Sequence, residues 1–190
     1  MASLAAVLAA CGGATTRVAS TGPGATRPMP ADEGERDAAR GALGQRAFAA
    51  LAAGDPLALL APETLLDVVL SEDAARRMRL LRARPRELPR DRLQAFAETR
   101  YLGVCAQGSE AALRGGALGL RHPTWTLQRL LVVGEREGGR RLAAWVEADF
   151  VFAEEGFTML DLRRVEAPRW EHSDLEIATC DLRVGLEESE

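Results

Sequence analysis

Arg141-Leu142-Ala143-Ala144-Trp145-Val146-Glu147-Ala148-Asp149-Phe150-Val151-Phe152 is the stretch on which the fold turns. Leu142, Ala144, Val146, Ala148, Phe150 and Phe152 fall on one side at a spacing of two. Arg141, Trp145, Glu147 and Asp149 fall on the other, the pattern of a strand with one buried and one solvated face. Upstream, Gly138-Gly139 inside residues 135–140 predicts a hairpin turn, preceded by a strand over 124–133 with Trp125, Leu127, Leu131 and Val133 on one face. Downstream, Ala153-Glu154-Glu155-Gly156 turns the chain into a strand over 157–165. Ala167-Pro168 then predicts a last turn before a strand over 170–184. In that final strand Leu175 and Ile177 share one parity and Cys180, Leu182 and Val184 the other, so a bulge near Ala178 would return both groups to one face. Four such segments joined by short turns make an antiparallel meander.

Working outward towards the N-terminus, the period changes from two to between three and four. Ala39, Leu43, Ala47, Phe48 and Leu51 define one face of a helix over residues 35–53, with Gly54 as its stop. Asp55-Pro56 opens a short second helix through Leu60. Residues 65–70 are apolar throughout and read equally as strand or helix. Ser71-Glu72-Asp73 starts a further helix, with both acids in its first turn. Pro85 and Pro89 interrupt it. A helix then resumes at Pro89 or Arg90, with Leu93, Phe96, Ala97, Tyr101 and Val104 along its inner face. Gly115, Gly116 and Gly119 predict a weak helix followed by a loop. Helices first and a meander last imply an α+β domain over residues 32–186, its helices packed on a curved antiparallel sheet.

That order resembles the NTF2-like (SnoaL-like) fold family. The resemblance is carried by Phe48-Ala49-Ala50-Leu51-Ala52-Ala53-Gly54-Asp55-Pro56 at the end of the opening helix. It is carried also by Leu160-Asp161-Leu162-Arg163-Arg164-Val165 through Arg169-Trp170 to Asp174-Leu175-Glu176, and it spans residues 36–184 in pattern. The region between Arg76 and Leu120 is longer than in a compact member. The resemblance implies a cone with a pocket at its open end, where some relatives place acid–base Asp, Tyr or His residues.

At the N-terminus, Ala2-Ser3-Leu4-Ala5-Ala6-Val7-Leu8-Ala9-Ala10-Cys11-Gly12-Gly13 reads as an apolar secretory signal followed by small residues. Leu8-Ala9-Ala10-Cys11 resembles the lipobox of bacterial lipoproteins. The resemblance implies that residues 1–10 are removed and that the Cys11 thiol carries a lipid, such as palmitate-type acyl chains. No Lys or Arg precedes the apolar run, and ten residues is short for a signal, which points to a start upstream of Met1. By the same resemblance, Gly12 rather than Asp after the cysteine implies an outer-membrane location facing the periplasm. Residues 11–31 are rich in Gly, Ala, Thr, Ser and Pro, and predict a flexible tether between anchor and domain. Residues 187–190 form an acidic tail.

With Cys11 set aside, Cys105 and Cys180 remain, and an oxidising compartment allows them one disulfide. Two buried free thiols are the alternative. No CxxC pair occurs and His122 and His172 lie far apart in sequence, so no metal site is expected.

The 190 residues carry a formal net charge of -4, which excludes a strong global attraction to nucleic acid. All 24 basic residues are arginine, with no lysine, no asparagine and a single isoleucine, Ile177; strong GC bias in codons depletes those three together. Arginine abundance is therefore read first as habit. Arg76, Arg77, Arg79, Arg82, Arg84, Arg86, Arg90 and Arg92 nevertheless form a dense cluster. Its first six members offer a weak patch for an anionic partner such as lipid headgroups, against the simpler reading of a solvated helix face balanced by Glu72, Asp73, Glu87 and Asp91.

Tyr101, Asp149 and His172 are weak catalytic candidates, should the concave face bring them together. Trp145 and Glu147 share a face with Asp149, and that face reads as solvated. There is no GxSxG elbow, P-loop, HExxH or dinucleotide-binding glycine fingerprint. No cofactor is expected. The leading expectation is a non-catalytic binding or interaction domain, meeting a protein partner or a small apolar ligand, held to the membrane by its lipid. A small-molecule enzyme of the NTF2-like type and a structural lipoprotein in an envelope assembly are the alternatives.

Overall fold

The computed structural model of the chain describes residues 26–107 and 118–171. Helix α1 spans Glu33–Ala52, started by the Asp32 carboxylate, which accepts a 2.9 Å hydrogen bond from the Glu35 amide. It stops where Gly54 takes φ +69° and donates its amide to the Leu51 carbonyl. A 3-10 turn over Pro56–Leu59 leads to α2, Glu63–Val69, which resolves the ambiguous apolar run as helix. Helices α3, Glu72–Arg82, and α4, Arg90–Leu93, follow. The strands are β1 Arg100–Gln107, β2 Thr126–Glu135, β3 Arg141–Ala153, β4 Gly156–Val165 and β5 Arg169–Glu171. They form one antiparallel sheet in the order β1-β2-β3-β4, with β5 also pairing β3. This is an α+β domain with its helices packed on a curved meander.

The alternation along β3 has the expected consequence. Leu142, Ala144, Val146, Ala148, Phe150 and Phe152 join Leu43, Ala47 and Leu51 of α1 in the main core. Trp125 sits at the centre of one end, fully buried, with the rings of Phe157 and Phe152 at 4.5 and 5.5 Å.

Four details differ from the sequence reading, each for a physical reason. The helix expected through Tyr101 and Val104 gives way after α4 and a 3-10 turn, Gln94–Glu98, to strand β1. Leu93, Phe96, Tyr101 and Val104 all do face the core. The helical spacing runs through Ala97, four residues from both Leu93 and Tyr101, but Ala97 is exposed, and the turn-then-strand path brings the other four to the core without it.

In β2 the register slips between Leu127 and Arg129. Leu130 and Val132 therefore join the main core, while Leu131 and Val133 go to the reverse face with Cys105 and Ala143. An extra residue in one strand of a pair reverses the parity beyond it.

Ala167-Pro168 does not turn the chain. β5 continues along the same edge of β3, in steps of register that run Phe150↔Met159, Ala148↔Leu162, Val146↔Val165 and Ala143↔Arg169. Each step adds one residue to the outer strand, and Pro168, which has no N–H to give, occupies the last of them. Accumulated bulges of this kind bend the sheet.

Finally, the tether was expected to reach residue 31, but Thr26 already forms a β-bridge with Ala153 and the Arg27 amide donates to the Phe152 carbonyl at 2.9 Å. Met29 packs against the core.

The helices divide between the faces. α1 covers the main face. α2 and α3 bury Leu66, Val69, Leu70, Ala74, Ala75 and Met78 against Val151 and Leu160, whose parity is opposite to Phe150 and Met159.

Candidate functional site

A groove of about 320 Å³ opens where α1, α2 and the β3–β4 hairpin meet. Its construction begins at Leu60, which pairs in parallel with Met159 while the Ala61 amide donates to the Met159 carbonyl at 2.8 Å. This lays the approach to α2 along the outer edge of β4. Pro62 then starts α2, which turns Leu66 and Val69 into the second core and leaves Leu65 and Val68 towards the groove. Ala153, Gly156, Phe157 and Thr158 form the opposite wall, Gly156 at φ +103° closing the tight Glu154-Glu155 turn. Arg46 of α1 and Glu155 supply the charges at the rim, and the Arg46 guanidinium donates to the Phe157 carbonyl. An apolar wall with a few polar groups is the usual composition of a ligand cleft, and this one lies at the small end of their size range. It contains no pair of titratable side chains suited to moving a proton.

The second constellation lies where α3 meets the edge of β4. Arg82 donates from Nε to the Leu160 carbonyl at 2.6 Å and from Nη1 to the Ala61 carbonyl at 2.7 Å, so its guanidinium caps an otherwise open strand edge. Desolvation lowers the Arg82 pKa. Arg86 forms a buried ion pair with Asp161, the two side chains 14% and 7% exposed, and Asp161 stands beside Asp149 across the β3–β4 ladder. Arg163 lies 3.6 Å from Asp149. Burial pushes both carboxyls above the ordinary range; Arg163 opposes this at Asp149, and Arg86 and Arg82 oppose it at Asp161.

Two of the catalytic candidates, Tyr101 and Asp149, are not brought together. Tyr101 faces the main core beneath α1, where its ring meets Phe48 edge-on at 5.7 Å, and burial raises its pKa to about 12. Asp149 sits on the reverse face of the sheet with the arginine network. His172 lies outside the described residues. Trp145 and Glu147 share Asp149's face, where the Arg129 guanidinium stacks 4.3 Å from the Trp145 ring and 3.5 Å from Glu147.

The arginine cluster resolves into two groups. Arg76 pairs with Glu72 and Asp73, Arg79 with Asp67 and Glu63, while Arg82 and Arg86 hold α3 to β4. Arg82 and Arg86 are engaged within the fold, whereas Arg76 and Arg79 make surface pairs, as the reading of a helix face balanced by acids expects for such residues. Arg77 and Arg84 are exposed and have no ion pair among the described residues.

Cys105 is disulfide-bonded; Cys11 and Cys180 lie outside the described residues. Among the described residues there is no cluster of three or more His, Cys, Asp or Glu side chains suited to a metal, and no helix long and apolar enough to cross a membrane. Sequence reasoning missed Arg46, Leu65, Val68 and Phe157, because three separated segments build the groove and none carries a motif.

Fold and groove together define a small α+β domain, a bulged antiparallel sheet with a cleft at its β3–β4 hairpin end. Comparison with models of known families, with characterised proteins and with solved structures gave no match.

Proposed function

We propose that this chain is an envelope lipoprotein whose α+β domain binds a small apolar or amphipathic ligand, or a short segment of a protein partner, in the groove between α1, α2 and the β3–β4 hairpin. The observation that carries the anchor is Leu8-Ala9-Ala10-Cys11, preceded by an apolar run and followed by Gly12-Gly13 and a small-residue stretch. The disulfide at Cys105 supports an oxidising compartment, since such bonds persist outside the cytosol. The apolar groove, with Arg46 and Glu155 at its rim, supports binding rather than turnover. The element order, a long capped helix before a bulged meander, supports the NTF2-like architecture. Tyr101 and Asp149 stand on opposite faces of the sheet, so in this arrangement they do not act on one molecule.

Two measurements test the proposal. Intact mass of the protein from envelope fractions should show a cleaved chain with acyl mass on Cys11, abolished by Cys11→Ala; an unmodified thiol in a cytosolic product would overturn the anchor. For the groove, an apolar fluorescent probe such as an anilinonaphthalene sulfonate should bind the folded protein, and Val68→Glu should abolish the signal. Binding unaffected by that change at an exposed lining position would overturn the groove assignment.

A further inference from the structure

The exposed large apolar side chains among the described residues are Leu80, Val68 and Leu81, at 65%, 44% and 37%. Leu80 and Leu81 sit in the last turn of α3, and Arg77 and Arg84 flank them at spacings of three and four, so all four share one face. The turn carries on to Arg84, whose amide donates to the Leu81 carbonyl at 3.1 Å. The neighbouring arginines that do pair with acids point elsewhere: Arg76 to Glu72 and Asp73, Arg79 to α2, Arg86 to Asp161. What is left is two exposed leucines between two guanidiniums without carboxylate partners.

We propose that this Arg77–Leu80–Leu81–Arg84 face docks on an anionic phospholipid surface. Charge complementarity selects that partner. In a chain of net charge -4, Arg76 and Arg79 take up the acids on and beside α3, Glu72, Asp73, Glu63 and Asp67, and Arg86 takes up Asp161, which leaves the positive charges of Arg77 and Arg84 uncompensated on this face. Guanidiniums pair with phosphate oxygens while short apolar side chains enter the headgroup layer. The position of the leader agrees. Thr26 meets the sheet at Ala153, Ala153 and Val68 line the same groove, and α2 packs directly on α3. The chain from Thr26 onward thus joins the domain beside the helices that carry the face. The proposal concerns the protein surface alone and does not depend on acylation of Cys11.

The test uses the full chain carrying Cys11→Ala, so that no acyl group contributes, in flotation assays with phosphatidylcholine vesicles with and without phosphatidylglycerol. The protein should float with the phosphatidylglycerol vesicles, not with phosphatidylcholine alone, and added salt should weaken the association. Arg77→Gln with Arg84→Gln should reduce partitioning roughly 25-fold, from about 1 kcal/mol per arginine at about 1.4 kcal/mol per tenfold. Leu80→Ser with Leu81→Ser should also reduce it, whereas Arg136→Gln, in the β2–β3 hairpin, should leave it unchanged. Arg77, Leu80, Leu81, Arg84 and Arg136 are all exposed, and an unchanged thermal midpoint verifies folding. No binding to the anionic vesicles, or equal binding by the double-arginine variant, would overturn the proposal; either result leaves the Cys11 reading untouched.

Discussion

Arg86 and Asp161 place a pair of full charges under α3, with little access to water. Removing one partner from a buried pair strands the other, at a cost of about 3–5 kcal/mol, whereas an apolar replacement of both is often tolerated. Arg86→Met should therefore lower the urea midpoint sharply, and Arg86→Met with Asp161→Leu should recover much of the loss. A double variant as weak as the single one would show that the pair contributes through something other than charge compensation. Asp149 calls for the opposite substitution. Its folded pKa is raised above the ordinary 3.8, chiefly by burial, so the native state retains a proton where the unfolded chain has released it. Its contribution to stability is complete below about pH 4 and is lost as pH rises through the folded value. Asp149→Asn should consequently match or exceed the parent in stability at pH 7, with that advantage shrinking towards pH 4. Denaturant titrations at both pH values check the sign.

α1 lies unusually close to β1, and Gly44 is the reason. A Cβ built at Gly44 would come within 2.3 Å of the Tyr101 hydroxyl oxygen and 2.6 Å of Val104 Cβ. Gly44→Ala gains helix propensity yet overpacks this contact, for a net loss of about 1–3 kcal/mol. The Tyr101 hydroxyl is itself buried without a hydrogen-bond partner, so Tyr101→Phe should leave stability unchanged or raise it, and should soften the effect of Gly44→Ala. Thermal unfolding of the two single variants and the double variant measures this coupling. The elements show what sequence can and cannot convey. β3 and α1 were legible because each keeps one period over its whole length. β1 was misread as helix because Leu93, Ala97, Tyr101 and Val104 keep a helical spacing, although Ala97 is exposed, while Gly103 and Cys105 give little strand signal. The continuation of β4 into β5 was hidden behind Pro168, which looks like a turn and acts as a bulge.

The site was less legible than the fold, because its residues gain meaning only from distant neighbours. Arg82 and Arg86 look like their surface neighbours Arg77 and Arg84 in the sequence. Carbonyls of Ala61 and Leu160 and the carboxylate of Asp161 distinguish them, and those lie tens of residues away. The same holds for the groove, where Val68 and Phe157 meet only because Leu60 aligns with Met159. A domain assembled in this way, with a sheet edge capped by one guanidinium, concentrates its cooperativity at the α3–β4 junction. Arg82→Met should remove three donors to backbone carbonyls and so speed amide exchange in β4 more than in β2.

Mechanical load offers a different view of the leader segment. Residues 26–30 are fastened to the sheet by few bonds, chiefly the Arg27 amide to Phe152 and the Thr124 hydroxyl to the Arg27 carbonyl. Pulling on the chain ahead of Thr26 would peel these in sequence rather than shear them in parallel. Five residues have an extended length of about 17 Å at roughly 3.4 Å each, and the extension released before α1 feels the force is that length less the distance they already span. A single-molecule extension trace should accordingly carry a small early step ahead of the main rupture, giving the domain a built-in shock absorber.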